Sequence, residues 1–329
     1  MKNLLLPISI LFFLATIFVV INIDHPAFKL LFNVRNGASA FLFDSHKIDS
    51  NLSTPSETFN FARRSSCNIA NSDGCHNTSK SLLLTFWSEK SKEKWVSQNI
   101  LTAFPIHSFD HLIFIYDNSI WKSHPGYKDF IWIRALGQIR LWFVKRFLPP
   151  EIIVDYKYIW IVDDDSQFDF RVLDYECIIS RLNIPLSAPG RLTGVMSHSI
   201  TAVNQNYKNR IGRWTNFIET GPTVVASSKA WLCIYRYLDA SVGYGWGIDL
   251  IWCNMLADVC FPELGPKKVC AILDAFGIHH QSNIIKSVDY GPAESVFYQN
   301  KYRKWLQRFT NYMPLSNNNS LLNSCHSTI

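Results

Sequence analysis

Apolar residues fill positions 4–21 almost without a break, interrupted only by Pro7, Ser9 and Thr16, and from there to about position 80 the chain turns polar and loses any sustained period. The apolar run is about as long as a bilayer core requires and exceeds a usual signal-peptide core. Lys2 precedes it, and Asn22-Ile23-Asp24-His25 follows without a small-x-small cleavage site. This pattern predicts a membrane-spanning signal anchor over residues 1–23, with a cleaved secretory signal as the alternative. Residues 24–80, rich in Ser, Asn and Thr, read as a stem or linker. Residues 315–329 read as a flexible tail.

Between them, short apolar runs alternate with amphipathic stretches. Residues 81–87 and 111–116 have the character of buried strands, with a polar helical stretch over 89–103 between them, which makes a βαβ unit. A short strand at 130–133 precedes a helical pattern over 136–147, stopped by Pro149-Pro150. The apolar run Tyr158-Ile159-Trp160-Ile161-Val162 is the next strand. Then come a helix over 172–182, strands over 191–200 and 217–226, and a helix that starts at Ser227-Ser228-Lys229-Ala230-Trp231 with a Ser as N-cap and runs to about 238. An apolar helix over 250–257 and a strand over 269–274 complete the series. Such alternation predicts an α/β domain over residues 81–314, Rossmann-like, with a mixed, largely parallel sheet flanked by helices.

Composition adds little to this picture. The chain of 329 residues has a net charge of +6, spread along its length, which gives no support to nucleic-acid binding. Eight cysteines suit an oxidising compartment. Cys67 and Cys75 flank a polar loop, whereas Cys177, Cys233, Cys253, Cys260 and Cys270 sit in apolar segments, and spacing assigns no pairing. Sequons at Asn51, Asn77 and Asn318 fit a lumenal body. No Cys/His zinc spacing, no Gly-x-Gly-x-x-Gly after the first strand and no P-loop is present.

Candidate chemistry gathers in three places. The central strand ends in Asp163-Asp164-Asp165, three adjacent carboxylates at the edge of an α/β sheet where ligands bind. Their mutual repulsion makes a hard divalent cation, Mn²⁺ or Mg²⁺, the natural guest, the plainer reading being a solvated acidic turn. Gly243-Tyr244-Gly245-Trp246-Gly247-Ile248-Asp249 sets three glycines around two aromatic rings ahead of a carboxylate. Glycine permits close backbone approach, a Trp ring offers a face to a sugar, and Asp249 is either functional or the cap of the helix it precedes. His279 and His280 follow the late strand, and one of them can turn inward as a metal ligand. Lys208, Arg210 and Arg213 lie in a polar segment that either meets anions or is solvated.

Taken in order, these features resemble a type II membrane glycosyltransferase of the GT-A fold and, more narrowly, the DUF707 family. The resemblance spans residues 82–282. It is carried by Ala135-Leu136-Gly137-Gln138, Trp142-Phe143-Val144-Lys145-Arg146-Phe147-Leu148, Tyr156-Lys157-Tyr158-Ile159-Trp160 leading to Asp163 and Asp165, Ala230-Trp231, Trp246-Gly247-Ile248-Asp249, the run from Val269 to Asp274, and His280-Gln281. Family members usually carry Asp-Glu-Asp at the triplet, so both outer carboxylates are kept. The spacing around Thr220-Gly221-Pro222 departs from the family after Glu219. The resemblance implies a nucleotide-sugar donor bound through Asp163, Asp164 and Asp165, a Mn²⁺ or Mg²⁺ held by Asp163, Asp165 and His280, and Asp249 as catalytic base. Trp246 and Gly247 would face the acceptor, a glycan, protein or lipid. It also implies a single-pass Golgi or ER membrane protein with a lumenal catalytic domain. A non-catalytic glycan-binding or scaffolding protein of the same fold, or a metal-dependent phosphohydrolase, are the alternatives.

Overall fold

The computed structural model describes residues 80–93, 100–194, 198–204, 210–239, 243–281, 291–306, 310–315 and 319–326. All of these fall within the unit Phe59–Ile329. The anchor at 1–23, the stem short of Lys80, the sequon asparagines Asn51, Asn77 and Asn318, and Cys67 and Cys75 lie outside the described residues. Among the described residues no helix is long and apolar enough to cross a membrane.

A mixed sheet runs through the domain, ten strands among the described residues. Its first half is wholly parallel: β1 (Ser81–Trp87) lies between β2 (Phe109–Ile115) and β4 (Tyr158–Asp163), and β3 (Ile131–Arg134) flanks β2. Leu82, Leu83, Leu84, Ile159 and Trp160 are fully buried, as expected of parallel strands covered on both faces. The second half reverses direction at β8 (Thr223–Ser227), antiparallel to both β4 and β6 (Leu186–Thr193). The long strand β9 (Cys270–His280) runs parallel to β6 and antiparallel to β7 (Arg213–Thr215), which β10 (Asn311–Pro314) flanks.

Several boundaries move from where the pattern sets them, each for a local reason. The helix expected over 136–147 is α1 (Arg140–Phe147), because Gly137 adopts φ +68° in the turn before it. The strand expected over 191–200 is β6, displaced toward the N-terminus. Pro189 and Gly190 read as breakers in sequence, yet the ladder accommodates them with a register shift between the two. Residues 217–222 form a loop rather than strand, since Pro222 has no N–H for the ladder, and β8 begins at Thr223. After the short helix α2 (Pro150–Ile153) and α3 (Val172–Arg181), α4 (Ser228–Tyr237) starts as expected, with the Ser227 hydroxyl accepting from the Ala230 N–H. The helix expected over 250–257 is α5 (Trp252–Val259), and its cap position is Ile251, so Asp249 does not cap it.

Disulfides fasten the second half. Cys233–Cys260 and Cys253–Cys270 tie α4 to the end of α5 and α5 to β9. The C-terminal stretch carries α7 (Asn319–His326) beyond α6 (Gly291–Lys301), and Cys325 in it bonds Cys177 of α3. Closing a loop of 148 residues constrains the unfolded chain by about 5 kcal/mol in the chain-entropy account. Arg213 is buried in an ion pair with Asp274 and donates to the carbonyls of Ile200 and Ala202, so it serves the fold and not a bound anion.

Candidate functional site

Five buried residues of β4 deliver Asp163 to the carboxyl edge of the parallel half. There its N–H donates to the Pro222 carbonyl at 2.8 Å, and the chain turns through Asp164 and Asp165 into β5 (Ser166–Phe168). Strand β5 pairs antiparallel with the end of β9, setting Ser166 opposite His280. This register brings the His280 imidazole to 2.9 Å from the Asp165 carboxylate, while the Gln281 N–H donates to the Asp165 carbonyl at 3.0 Å. One ligand atom each from Asp163, Asp165 and His280 falls within 4.8 Å of the others. Neighbouring side chains on a strand point to opposite faces, so His279 turns away, to Asp169 at 3.0 Å and Thr193 at 2.8 Å. Asp164 is buried and accepts a hydrogen bond from the Ser91 hydroxyl.

The cluster opens onto a cleft of about 440 Å³ whose walls include Phe86, Tyr116, Arg140, Phe143 and Tyr244. Arg140, the first residue of α1, ion-pairs with Asp163 and donates to the Thr220 carbonyl at 2.7 Å. Burial pulls its guanidinium down to about 10, and the charges of Asp165, Glu219 and Asp164 oppose that pull, so it stays a cation at neutral pH.

A second acidic centre touches the same loop. The glycine-aromatic run packs onto α1, with the Leu141 N–H donating to the Gly243 carbonyl at 2.7 Å. Gly247 adopts φ +92°, and a Cβ there would meet the Ser295 backbone at 2.7 Å, so a close approach to α6 demands glycine. The buried Glu294 carboxylate of α6 accepts from the N–H groups of Tyr244 at 3.0 Å and Trp246 at 3.3 Å, which holds the run in place. Tyr244 joins the cleft wall, Trp246 is exposed, and Gly247 backs onto α6. Asp249 is buried and accepts from the Gly247 N–H at 3.1 Å. Desolvation, reinforced by the Glu219 charge, pushes its carboxyl up to about 7 against the pull of backbone N–H groups at Gly247, Thr220 and Leu250. Glu219 itself accepts from Arg191 at 2.8 Å and is therefore part of the site's framework.

Sequence reasoning missed Arg140, Ser91 and Glu294 as members of this neighbourhood, and met Glu219 only as the point where the family spacing departs. Arg140 falls on the helical period of α1 and reads there as one more helix residue. Ser91 and Glu294 carry no local signal at all.

An α/β sheet with two carboxylates and an imidazole converging at the carboxyl edge of its parallel half defines a protein with a candidate metal site at the ligand-binding edge. The sequence profile of the family described as "Protein of unknown function (DUF707)" matches residues 53–307, and the chain belongs to that family. No curated protein matches the sequence. Among solved structures, the chain is similar to a mannosyltransferase from Pyrobaculum calidifontis in complex with GDP-Man and Mn²⁺, with TM-score 0.42, 9% identity, and 86% of this chain and 79% of that one covered. It is similar also to glucosyl-3-phosphoglycerate synthase from Mycobacterium tuberculosis in complex with Mn²⁺, UDP and glucosyl-3-phosphoglycerate, at TM-score 0.39, 8% identity, and 73% and 89% coverage. S. aureus TarS 1-349 gives TM-score 0.40 and 10% identity over 68% of this chain and 73% of that one.

Proposed function

We propose that the chain is a metal-dependent glycosyltransferase that moves a sugar from a nucleotide-diphosphate sugar to an acceptor hydroxyl. The observation that carries this reading is the convergence of Asp163, Asp165 and His280 within 4.8 Å at the ligand edge of a parallel sheet, beside a cleft large enough for a nucleotide. Two carboxylates and one imidazole suit Mn²⁺, and Mg²⁺ less closely, since hard oxygen donors dominate and a nitrogen donor is present. Bound there, such an ion supplies Lewis-acid stabilisation of the charge on the departing nucleoside diphosphate.

The chain's own residues do the rest. Arg140 neutralises Asp163 and presents a guanidinium to the cleft, where a diphosphate lies within its chemistry. Asp164, fixed by Ser91, holds the turn that carries its two neighbours. Asp249 is buried and not among the residues lining the cleft, but its carboxyl at about 7 suits a base at neutral pH, and to it we assign the proton of the acceptor hydroxyl. Glu294 sets the Gly243 to Gly247 run beside it, and Tyr244 and Trp246 give that surface the aromatic character that sugar rings pack against. The acceptor is a glycan, protein or lipid. The apolar run at 4–21 and the sequons support a single-pass signal anchor that holds this domain in the lumen of the Golgi or ER.

Titrating nucleoside diphosphates and their sugar conjugates into the full chain by calorimetry, with and without Mn²⁺, tests the reading. Binding that requires the metal is expected. Absence of binding under both conditions excludes it, and metal-dependent release of inorganic phosphate from phosphomonoesters would favour a hydrolase instead.

A further inference from the structure

We infer that Arg140 is the resident counter-ion of the acidic triplet, competing with a divalent cation for Asp163 and serving the donor's diphosphate once that cation has taken the carboxylate. This role rests on the metal-dependent donor reading. The guanidinium lies over the Phe86 ring, 5.9 Å from its centroid. One of its nitrogens pairs with Asp163 and the other donates to the Thr220 carbonyl at 2.7 Å, and the Gly221 backbone lies directly over the pair. A Cβ added at Gly221 would sit 2.9 and 3.1 Å from the two guanidinium nitrogens and 3.0 Å from Asp163 Oδ2, so a side chain there would press on the pair. The other side of the pair forms cleft wall together with Asp165 and His280.

Charge couples the two ligands. A dication and a guanidinium on one carboxylate repel each other, so metal binding at Asp163 loosens the arginine's hold. A bound diphosphate then offers a new partner that matches the planar fork of the guanidinium, two parallel N–H groups to two phosphate oxygens. Metal and diphosphate must therefore favour each other's binding through Arg140, and by linkage the coupling is reciprocal.

The test measures two affinities in the full chain: Mn²⁺ alone, by the electron-paramagnetic-resonance signal of the free ion, and UDP or GDP in the presence of saturating Mn²⁺, by calorimetry. Arg140→Gln is expected to bind Mn²⁺ alone about ten-fold more tightly, because a like charge beside the ligand is gone, and to bind the diphosphate about ten-fold less tightly. Arg140→Lys keeps the charge without the fork. It should leave the Mn²⁺ affinity near wild type while weakening the diphosphate, and it replaces the Gln variant if the latter's melting temperature falls. Two affinities unchanged in Arg140→Gln, or both weakened together, overturn the inference while leaving the donor reading intact. Wild-type protein that binds neither probe removes both.

Discussion

Two acidic centres meet the loop at residues 219–222, and the fold treats them in opposite ways. Asp163 donates its N–H to Pro222, lies under Gly221, and has its charge matched by Arg140, with His280 at Asp165 beside it. Asp249 receives backbone N–H groups, Thr220 among them, but it is buried near another carboxylate, Glu219, and its proton is held to about 7. The contrast shows that residue type fixes neither role. A carboxylate beside a guanidinium and an imidazole is placed to meet cations, whereas a desolvated one near a like charge becomes a group that gains and loses a proton near neutrality.

The largest effect is expected at the compensated centre. Asp165→Asn removes a charged ligand while nearly preserving shape, so metal-dependent diphosphate binding should weaken by more than the roughly 100-fold that losing a supporting contact can cost. Calorimetry with UDP and Mn²⁺ decides it, and unchanged affinity would erase the distinction between the two centres.

Next in size is the uncompensated one. A positioned general base contributes about 10²- to 10⁴-fold in rate, and Asp249→Asn should lose turnover by that order while donor and Mn²⁺ affinities hold. Wild-type kcat/KM should rise with pH and level off above about 7, and this limb should vanish in the variant. The folded-state value lies above the ordinary carboxylate value of 3.8, so the protonated form is the stabilised one. Its contribution to stability is present in full below about pH 4 and is lost as pH rises toward 7. Turnover retained by Asp249→Asn would reduce the residue to a brace for the loop.

The last effect tests the same rule with the opposite sign, away from the site. Burial lowers the His111 imidazole from 6.5 to about 4, making the neutral form the stabilised one. That contribution holds above pH 6.5 and is lost between there and pH 4, on the order of 3 kcal/mol by linkage. Melting temperature followed against pH in His111→Phe should show a flatter acid limb than wild type. An identical limb would mean that burial at this position costs the charged form nothing.

Much of this architecture is legible in the chain. Strand β4 and its terminal acids follow from five apolar residues and an abrupt change to Asp, and the Ser227 cap from a hydroxyl ahead of an amphipathic run. Strand β6 is harder to read because Pro189 and Gly190 carry breaker chemistry that only a register shift with β9 makes tolerable. The end of β9 is hidden because Asp274 looks like a strand terminus until Arg213 neutralises it.

What the sequence determined by itself is therefore local: the parallel half, the acidic strand end, the glycine-aromatic run, and the presence of two adjacent histidines of which one can turn inward. What the tertiary structure decided is which histidine, since that depends on the register of β5 against β9. It also decided the pairing of Cys177 with Cys325 across 148 residues, the placing of Arg140 on Asp163, and the burial that lifts Asp249 to about 7. The physical reason is range. Periodicity and capping act over a few neighbouring residues, whereas charge compensation and desolvation are set by groups that meet only when distant segments pack.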